Sequence, residues 1–160
     1  MALSEPVRGT GAMDIQEVSR MLMHRFPFLL VDRVVDCVAG EYIVGIKNIS
    51  RHEPILGGSC RSFPNLLLIE ALAQVSVILT YKTLAIDPTG QELMFFAGID
   101  DATISGFARG GDRVMLRSSV HRLRRKLGWF RAEASVEGRQ IAAMTMLAAI
   151  HLPDPATLVG

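Results

Sequence analysis

A long apolar run near the middle of the chain constrains the fold more than any other feature. Residues Leu66 to Tyr81 are almost all apolar, and the run is interrupted by Glu70 and Gln74. A membrane-spanning helix needs about 20 apolar residues with few charges, and this run is shorter and carries a carboxylate. We therefore predict a helix from about Asn65 to Leu84 that is hydrophobic nearly all round and forms the core of a soluble protein with no membrane span.

Strand patterns on both sides of this helix predict an antiparallel sheet wrapped around it. Two segments rich in β-branched residues, "LLVDRVVDCVAG" and "EYIVGIKNIS", meet at Ala39-Gly40 as a hairpin, and four more strand-like segments follow the helix. In "GWFRAEASV" every second residue is apolar, which is typical of a strand with one buried face. A short helix capped by Asp14 and ended by Pro27 precedes them. This order predicts an α+β fold.

Length and composition fit one domain. The 160 residues are 49% hydrophobic, which allows one sizeable core. We expect a single domain over residues 13–152, with flexible tails at 1–12 and 153–160. Two cysteines, no leader-like apolar segment and a net charge of +1 favour a cytoplasmic protein that binds no nucleic acid.

Five motifs in register resemble one family of enzymes. They are "HRFPFLLVDRVVD" (24–36), "IKNISRHEP" (46–54), "LLLIEALAQ" (66–74), "FFAGIDDATI" (95–104) and "GDRV" (111–114). Together they resemble the FabZ family, the 3-hydroxyacyl-acyl-carrier-protein dehydratases of bacterial fatty-acid synthesis, over about residues 14–150. The resemblance implies a hot-dog fold, in which a curved antiparallel sheet wraps a long central helix. It also implies a homodimer or hexamer with sites between subunits, and an acyl carrier protein or CoA thioester as partner. The histidines form no cluster in the sequence, so we expect no metal site, and we expect no cofactor.

The family's dehydration chemistry needs three kinds of group. A loop histidine takes the α-proton, a helix acid from the other subunit protonates the departing hydroxyl, and backbone N–H groups at the helix start bind the thioester oxygen. By resemblance, Glu70 is the helix acid, and Gln74 is its hydrogen-bonding neighbour one turn on. The loop differs, because Gly58 is followed by Ser59 where the family has its histidine, and a serine hydroxyl is not a base by itself.

The remaining candidate residues also rest on the resemblance. His52 is a weak substitute base. The expected substrate-binding residues are Gly58, Phe63, Asn65, Leu66, Phe96 and Gly98. The basic run "HRLRRKLGW" is either a solvated turn or a docking surface for an acidic carrier protein; its cations are Arg122, Arg124, Arg125 and Lys126.

Three further expectations concern the surroundings of Glu70. Its apolar neighbours in sequence favour a raised pKa, so that it serves as an acid. We expect His24 to be structural and Cys60 to be a non-catalytic loop cysteine. Because Ser59 stands in the place of the family's histidine, we expect no imidazole within hydrogen-bonding distance of Glu70.

Three functions remain open. The first is a dehydratase-family subunit that is impaired as a homomer and completes the site of a histidine-bearing relative in a heterodimer. The second is a hot-dog acyl-thioesterase that uses Glu70. The third is a non-catalytic acyl-chain binder.

Overall fold

The computed structural model describes residues 11–56, 61–89, 92–124 and 127–151. Within these residues the chain forms two α-helices and six strands in the predicted order. They are α1 (Ile15–Met21), β1 (Arg33–Val38), β2 (Tyr42–Asn48), α2 (Asn65–Thr83), β3 (Leu93–Ile104), β4 (Arg113–Arg124), β5 (Leu127–Val136) and β6 (Arg139–His151), with a 3-10 turn at Pro54–Leu56.

The six strands form one antiparallel sheet around α2. Their order in the sheet is β1-β2-β4-β5-β6-β3, so that β1 and β3 are the edge strands. Helix α2 packs against β2, β4, β5 and β6 on the inner face. This arrangement confirms the α+β prediction and is that of a hot-dog fold.

Local sequence signals explain where the strands begin and turn. The β1–β2 hairpin turns at Gly40, whose φ of +80° is disfavoured for residues with a Cβ. In β5 the predicted alternation is confirmed, because Phe130, Ala132, Ala134 and Val136 are all buried. Their apolar side chains form part of the core against α2.

Helix α2 is buried over its second half and more open over its first. Every residue from Ala71 to Tyr81 is buried, including Ser76, whose hydroxyl binds the carbonyl of Leu72 and the hydroxyl of Ser118. By length and composition α2 could cross a membrane, but 72% of its apolar window is buried inside the domain, as in the core helix of a soluble protein. Glu70 lies in the more open first half.

Helix α1 is shorter than the sequence predicted. Asp14 caps it through a capping box with Glu17, as expected, but the helix ends at Met21 and not at Pro27. Leu22 adopts an extended conformation, and the Arg25 guanidinium binds its carbonyl oxygen at 2.7 Å. That side-chain donor satisfies a carbonyl oxygen at the helix end, and the helix ends six residues before the proline.

Candidate functional site

The carboxylate of Glu70 is the centre of the candidate site. Its side chain is 37% exposed, and its Oε1 atom lies 3.0 Å from Nε2 of Gln74 and 3.3 Å from Nε2 of His24. Glu70 thus reaches solvent from the core helix while two nitrogen atoms hold one of its oxygens. The structure brings Glu70 and Gln74 together, as the sequence predicted.

Gln74 is almost fully buried, and the backbone fixes the orientation of its amide. The carbonyl end accepts a hydrogen bond from the Leu30 N–H at 2.9 Å, and the amino end donates to the Phe28 carbonyl at 2.8 Å. A flipped amide would place donor against donor and acceptor against acceptor. The amino group must therefore also be the donor to Glu70, and Glu70 must be the acceptor.

His24 is a site residue that the sequence analysis missed. We expected no imidazole within hydrogen-bonding distance of Glu70, and the 3.3 Å between Nε2 of His24 and Oε1 of Glu70 shows that this expectation is wrong. The structural role expected of His24 remains a prediction. The segment after α1, residues 22–32, lies against the first half of α2, because Gln74 forms hydrogen bonds with its Phe28 carbonyl and Leu30 N–H. Residues so far apart in sequence give no spacing signal, and the position of His24 in the "HRFPF" motif was the available clue.

The pKa of Glu70 is lowered, which contradicts the expected raised value. The hydrogen bond with His24 is the largest cause, and it lowers the pKa below the usual 4.5. Partial burial acts in the opposite direction, while the hydrogen bond from Gln74 adds to the lowering. The prediction failed because it counted the apolar neighbours in α2 and omitted the polar groups from the segment after α1.

An apolar cavity lies beside this segment. Its volume is about 280 Å³, and its lining comes from the segment after α1, the 3-10 turn and the start of α2. The lining residues are Pro27, Phe28, Leu30, Glu53, Pro54, Ile55, Phe63 and Leu67. The one charged group among them, Glu53, is paired with Lys47 at 2.6 Å. A cavity of this composition suits an apolar ligand.

The structure describes five of the predicted substrate-binding residues, namely Phe63, Asn65, Leu66, Phe96 and Gly98. Phe63 lines the cavity as expected for a substrate-binding residue. Asn65 begins α2 and Leu66 follows it with 77% exposure. Phe96 and Gly98 lie on the edge strand β3. These five positions are compatible with binding, which remains a prediction for each of them.

The loop candidates are mostly outside the described residues. Gly58, Ser59 and Cys60 all fall there. His52 is described and exposed, and its backbone N–H binds the hydroxyl of Ser50 at 3.1 Å. No hydrogen bond or ion pair joins it to Glu70, so its imidazole is not a partner of the carboxylate in this chain.

The predicted docking surface is described in part. Arg122 and Arg124 are exposed near the end of β4, and the Arg122 guanidinium lies 5.5 Å from the ring centre of Trp129. Arg125 and Lys126 lie outside the described residues. Over the described ranges, no group of three or more His, Cys, Asp or Glu side chains is placed to hold a metal ion.

Solved structures place the chain in the hot-dog class. The dehydratase heterocomplex ApeI:P from Xenorhabdus doucetiae matches it with a TM-score of 0.72 at 19% identity, over 89% of this chain and 94% of that one. A mutant thioesterase from Pseudomonas aeruginosa matches with a TM-score of 0.65 at 11% identity, over 90% and 98%. Proteins of both chemistries therefore share this fold.

Sequence comparison identifies the family. The FabA-like domain model matches residues 22–145. The FabZ dehydratase of Shewanella amazonensis is 37% identical over 87% of this chain and 93% of its own, and that of an Escherichia coli strain is 38% identical over 88% and 94%. The chain belongs to the FabZ-like 3-hydroxyacyl-acyl-carrier-protein dehydratase family, as the five motifs predicted.

Proposed function

We propose that this chain supplies the helix-carboxylate half of a dehydratase site that acts on a 3-hydroxyacyl thioester. The observation that carries the proposal is Glu70, which emerges from a buried helix, is held by Gln74 and His24, and still reaches solvent. A carboxylate held in this way can exchange a proton with a bound substrate. The neighbouring apolar cavity would receive the acyl chain, and the N–H groups at the start of α2, at Asn65 and Leu66, would face the thioester oxygen.

The second proton-transfer group must come from elsewhere. Eliminating water requires one group that takes the α-proton and another that protonates the hydroxyl. The sequence has no histidine between Pro54 and Glu70, and Ser59 occupies the position of the family's base. We therefore infer that a homomer of this chain is impaired, and that a histidine-bearing relative completes the site in a heterodimer.

The edge of the sheet supports pairing with a second chain. Strand β3 has a neighbour on one side only, and its Phe95, Phe96, Ile99 and Ile104 side chains are between 39% and 53% exposed. A long apolar edge strand tends to pair with another strand. Around the site, Phe26 and Leu66 are also strongly exposed. A partner chain that covers these surfaces would bring its own loop to Glu70, and the structurally similar ApeI:P protein is itself a dehydratase heterocomplex.

The substrate carrier follows from the family and the charge pattern. FabZ relatives are named for acyl carrier protein substrates. Arg122 and Arg124 offer exposed positive charge to such an acidic partner, or to the phosphates of CoA. We place the reaction in the cytoplasm, in fatty-acid or polyketide-type synthesis.

Purified protein tests this proposal. The chain alone, a histidine-bearing relative alone and the two combined are incubated with a 3-hydroxyacyl carrier thioester, and the enoyl product is followed by its absorbance. Because loss of one acid–base group typically costs about 10²–10⁴-fold in rate, we expect the chain alone to be slower than the relative by that range. Full activity of the homomer would refute the proposed need for a partner.

Thioester hydrolysis is the second candidate function. The lowered pKa of Glu70 and its partial exposure suit a carboxylate that activates water, and one structural neighbour is a thioesterase. Release of free thiol from acyl-CoA and acyl-carrier thioesters is measured with wild type and with Glu70→Gln. No release above that of the variant removes this candidate. If neither reaction occurs and acyl ligand binds both proteins equally, the third function, a non-catalytic acyl-chain binder, is favoured.

A further inference from the structure

A second cavity lies toward the C-terminal end of α2. Its volume is about 550 Å³, nearly twice that of the apolar cavity, and its walls come from α1, the segment after α1 and the connection between α2 and β3. A cavity of this size can hold a small-molecule ligand. Tyr81 lines it three helical turns beyond Glu70, about 16 Å along the helix axis. We call this the α1–α2 cavity; at Tyr81 it lies well apart from the Glu70 carboxylate.

Two polar side chains in the wall of the α1–α2 cavity are almost fully buried. Tyr81 is 5% exposed and Glu92 is 7% exposed. The Glu92 carboxylate accepts hydrogen bonds from the N–H and the hydroxyl of Thr89, both at 2.9 Å. In the described part of the chain the Tyr81 hydroxyl has no hydrogen-bond partner, although a buried tyrosine hydroxyl usually has one. An unpartnered hydroxyl in a cavity wall indicates a place for a polar group of a ligand.

The Tyr81 hydroxyl faces the cavity and carries a proton. Over the described ranges, the side-chain atoms that are shielded and lack a partner are Nδ1 of His24 and Oδ1 of Asn65. The Tyr81 hydroxyl is not among them, so it touches open space, and the space that Tyr81 lines is the cavity. Burial raises the pKa of Tyr81, and the negative charge of Glu92 raises it further. The phenol is thus a hydrogen-bond donor at neutral pH, beside a carboxylate that repels anions.

The wall that α1 contributes carries a positive charge. Ser19 and Arg20 lie three and four residues after Gln16, so they share one face of α1, and all three line the cavity. Arg20 is exposed, and no described carboxylate forms an ion pair with its guanidinium. A guanidinium can bind a carboxylate through two parallel hydrogen bonds. The lining also includes the apolar side chains of Met21 and Met23.

We propose that the α1–α2 cavity binds a hydroxylated carboxylic acid, with the carboxylate at Arg20 and the hydroxyl at Tyr81. The charges set this orientation, because Glu92 disfavours an anion near Tyr81 while Arg20 attracts one. The phenol donates a hydrogen bond to the ligand hydroxyl, and the chain between the two polar groups of the ligand packs against Met23. The elimination does not require this site, so the proposal goes beyond the proposed function and is tested without any reaction.

Methionine methyl NMR tests the proposal on the protein alone. Straight-chain carboxylic acids of increasing length, each with and without a terminal hydroxyl, are titrated into protein labelled at its methionine methyl groups. Met23 reports on the cavity and is assigned by loss of its signal in Met23→Leu, while Met115, on β4 and outside the cavity lining, reports binding elsewhere. At the best chain length we expect the hydroxylated acid to bind about 5-fold more tightly than its unsubstituted counterpart, because one hydrogen bond contributes about 1 kcal/mol.

Single substitutions decide which groups bind the ligand. Tyr81→Phe should remove the difference between the two acids and leave the free energy of unfolding in urea near that of wild type, because the hydroxyl has no described partner. Tyr42→Phe, which removes a hydroxyl bonded to Asp36 at 2.7 Å outside the cavity lining, is the control and should keep the difference. Arg20→Gln should weaken both acids by about 2- to 5-fold, as for an exposed ion pair.

Three results would each overturn the proposal. They are equal binding of the two acids to wild type, a hydroxyl preference that persists in folded Tyr81→Phe, and titrations that never shift the Met23 signal. If Tyr81→Phe does not fold, acids that bind wild type and Arg20→Gln equally overturn it as well. None of these results bears on the proposed dehydratase function, which is decided by formation of the enoyl thioester.

Discussion

Replacing Gln74 should destabilise the fold more than its single side chain suggests. Gln74 is 1% exposed and makes three hydrogen bonds, to Phe28, Leu30 and Glu70. In Gln74→Met the volume is nearly kept, but the Leu30 N–H, on a residue that is 1% exposed, loses its acceptor. A buried donor left without a partner costs about 1–3 kcal/mol.

Loss of the hydrogen bonds from Gln74 to Phe28 and to Glu70 should lower the free energy of unfolding by a smaller amount. The Phe28 carbonyl belongs to an exposed residue and Glu70 reaches solvent, so water can replace Gln74 at both. We therefore expect a total loss of about 2–3 kcal/mol in the free energy of unfolding. For a domain of this size that corresponds to a fall of roughly 4–12 °C in Tm.

Thr80→Val provides a matched control on the same helix. Thr80 is buried, and its hydroxyl donates to the Ser76 carbonyl, which also accepts the helical N–H bond. The change removes one hydrogen bond without leaving a buried backbone group unpaired, so about 1 kcal/mol is expected. Both variants are unfolded in urea at equal protein concentration, so that any association of chains contributes equally to the two measurements. If Gln74→Met is no less stable than Thr80→Val, the role assigned to Gln74 is wrong.

Three further perturbations test other parts of the structure. Gly45→Ala places a Cβ 2.8 Å from a side-chain carbon of Val75 and should lower the free energy of unfolding in urea by about 1–3 kcal/mol. Gly98→Ala is the control, because a Cβ at Gly98 would contact no described residue within 4 Å beyond its chain neighbours, and it should leave the free energy of unfolding nearly unchanged. Because the pKa of Glu70 is lowered in the folded state, its carboxylate stabilises the fold at pH values above the usual pKa of 4.5, and this stabilisation is lost as the pH falls through the folded-state pKa. The difference in unfolding free energy between wild type and Glu70→Gln should therefore decrease in acid. A difference that does not change with pH would contradict the hydrogen bonds assigned to Glu70. Arg122→Glu should weaken binding of acyl carrier protein, and the difference from wild type should diminish with added salt; equal titration curves at low salt would refute the docking surface.

The sequence predicted the fold well because its signals are local. Three elements could be predicted because the residues that determine them are close in sequence. They are strand β5 with its alternating pattern, the hairpin with its glycine, and helix α2 with its apolar run of helical length. The predicted end of α1 was wrong because the helix already ends at Met21, where Leu22 is extended and its carbonyl oxygen accepts a hydrogen bond from the Arg25 guanidinium. Sequence spacing does not predict this side-chain contact.

The contact between Glu70 and Gln74 was predicted from the sequence, but the contact with His24 and the direction of the Glu70 pKa shift were not. Glu70 was named because it matches the family's helix acid, and Gln74 because it lies one turn further along the same helix. The direction of the Glu70 pKa was wrong because it depends on His24, which a separate segment brings to the helix. Contacts such as that between His24 and Glu70 join segments that are distant in sequence, and they depend on how the chain packs. A sequence motif can indicate that such residues are important, but it does not give the distance between them.

A complementation assay tests the proposed two-chain site most directly. A histidine-bearing FabZ relative is made inactive by replacing its own helix acid with the matching amide, and is then mixed with this chain as wild type or as Glu70→Gln. We predict that the wild-type chain restores formation of the enoyl thioester and that Glu70→Gln leaves the rate lower by about 10²-fold or more. Equal rates with the two proteins, or no restored activity in a verified heterodimer, would contradict the central claim that Glu70 serves a site shared by two chains.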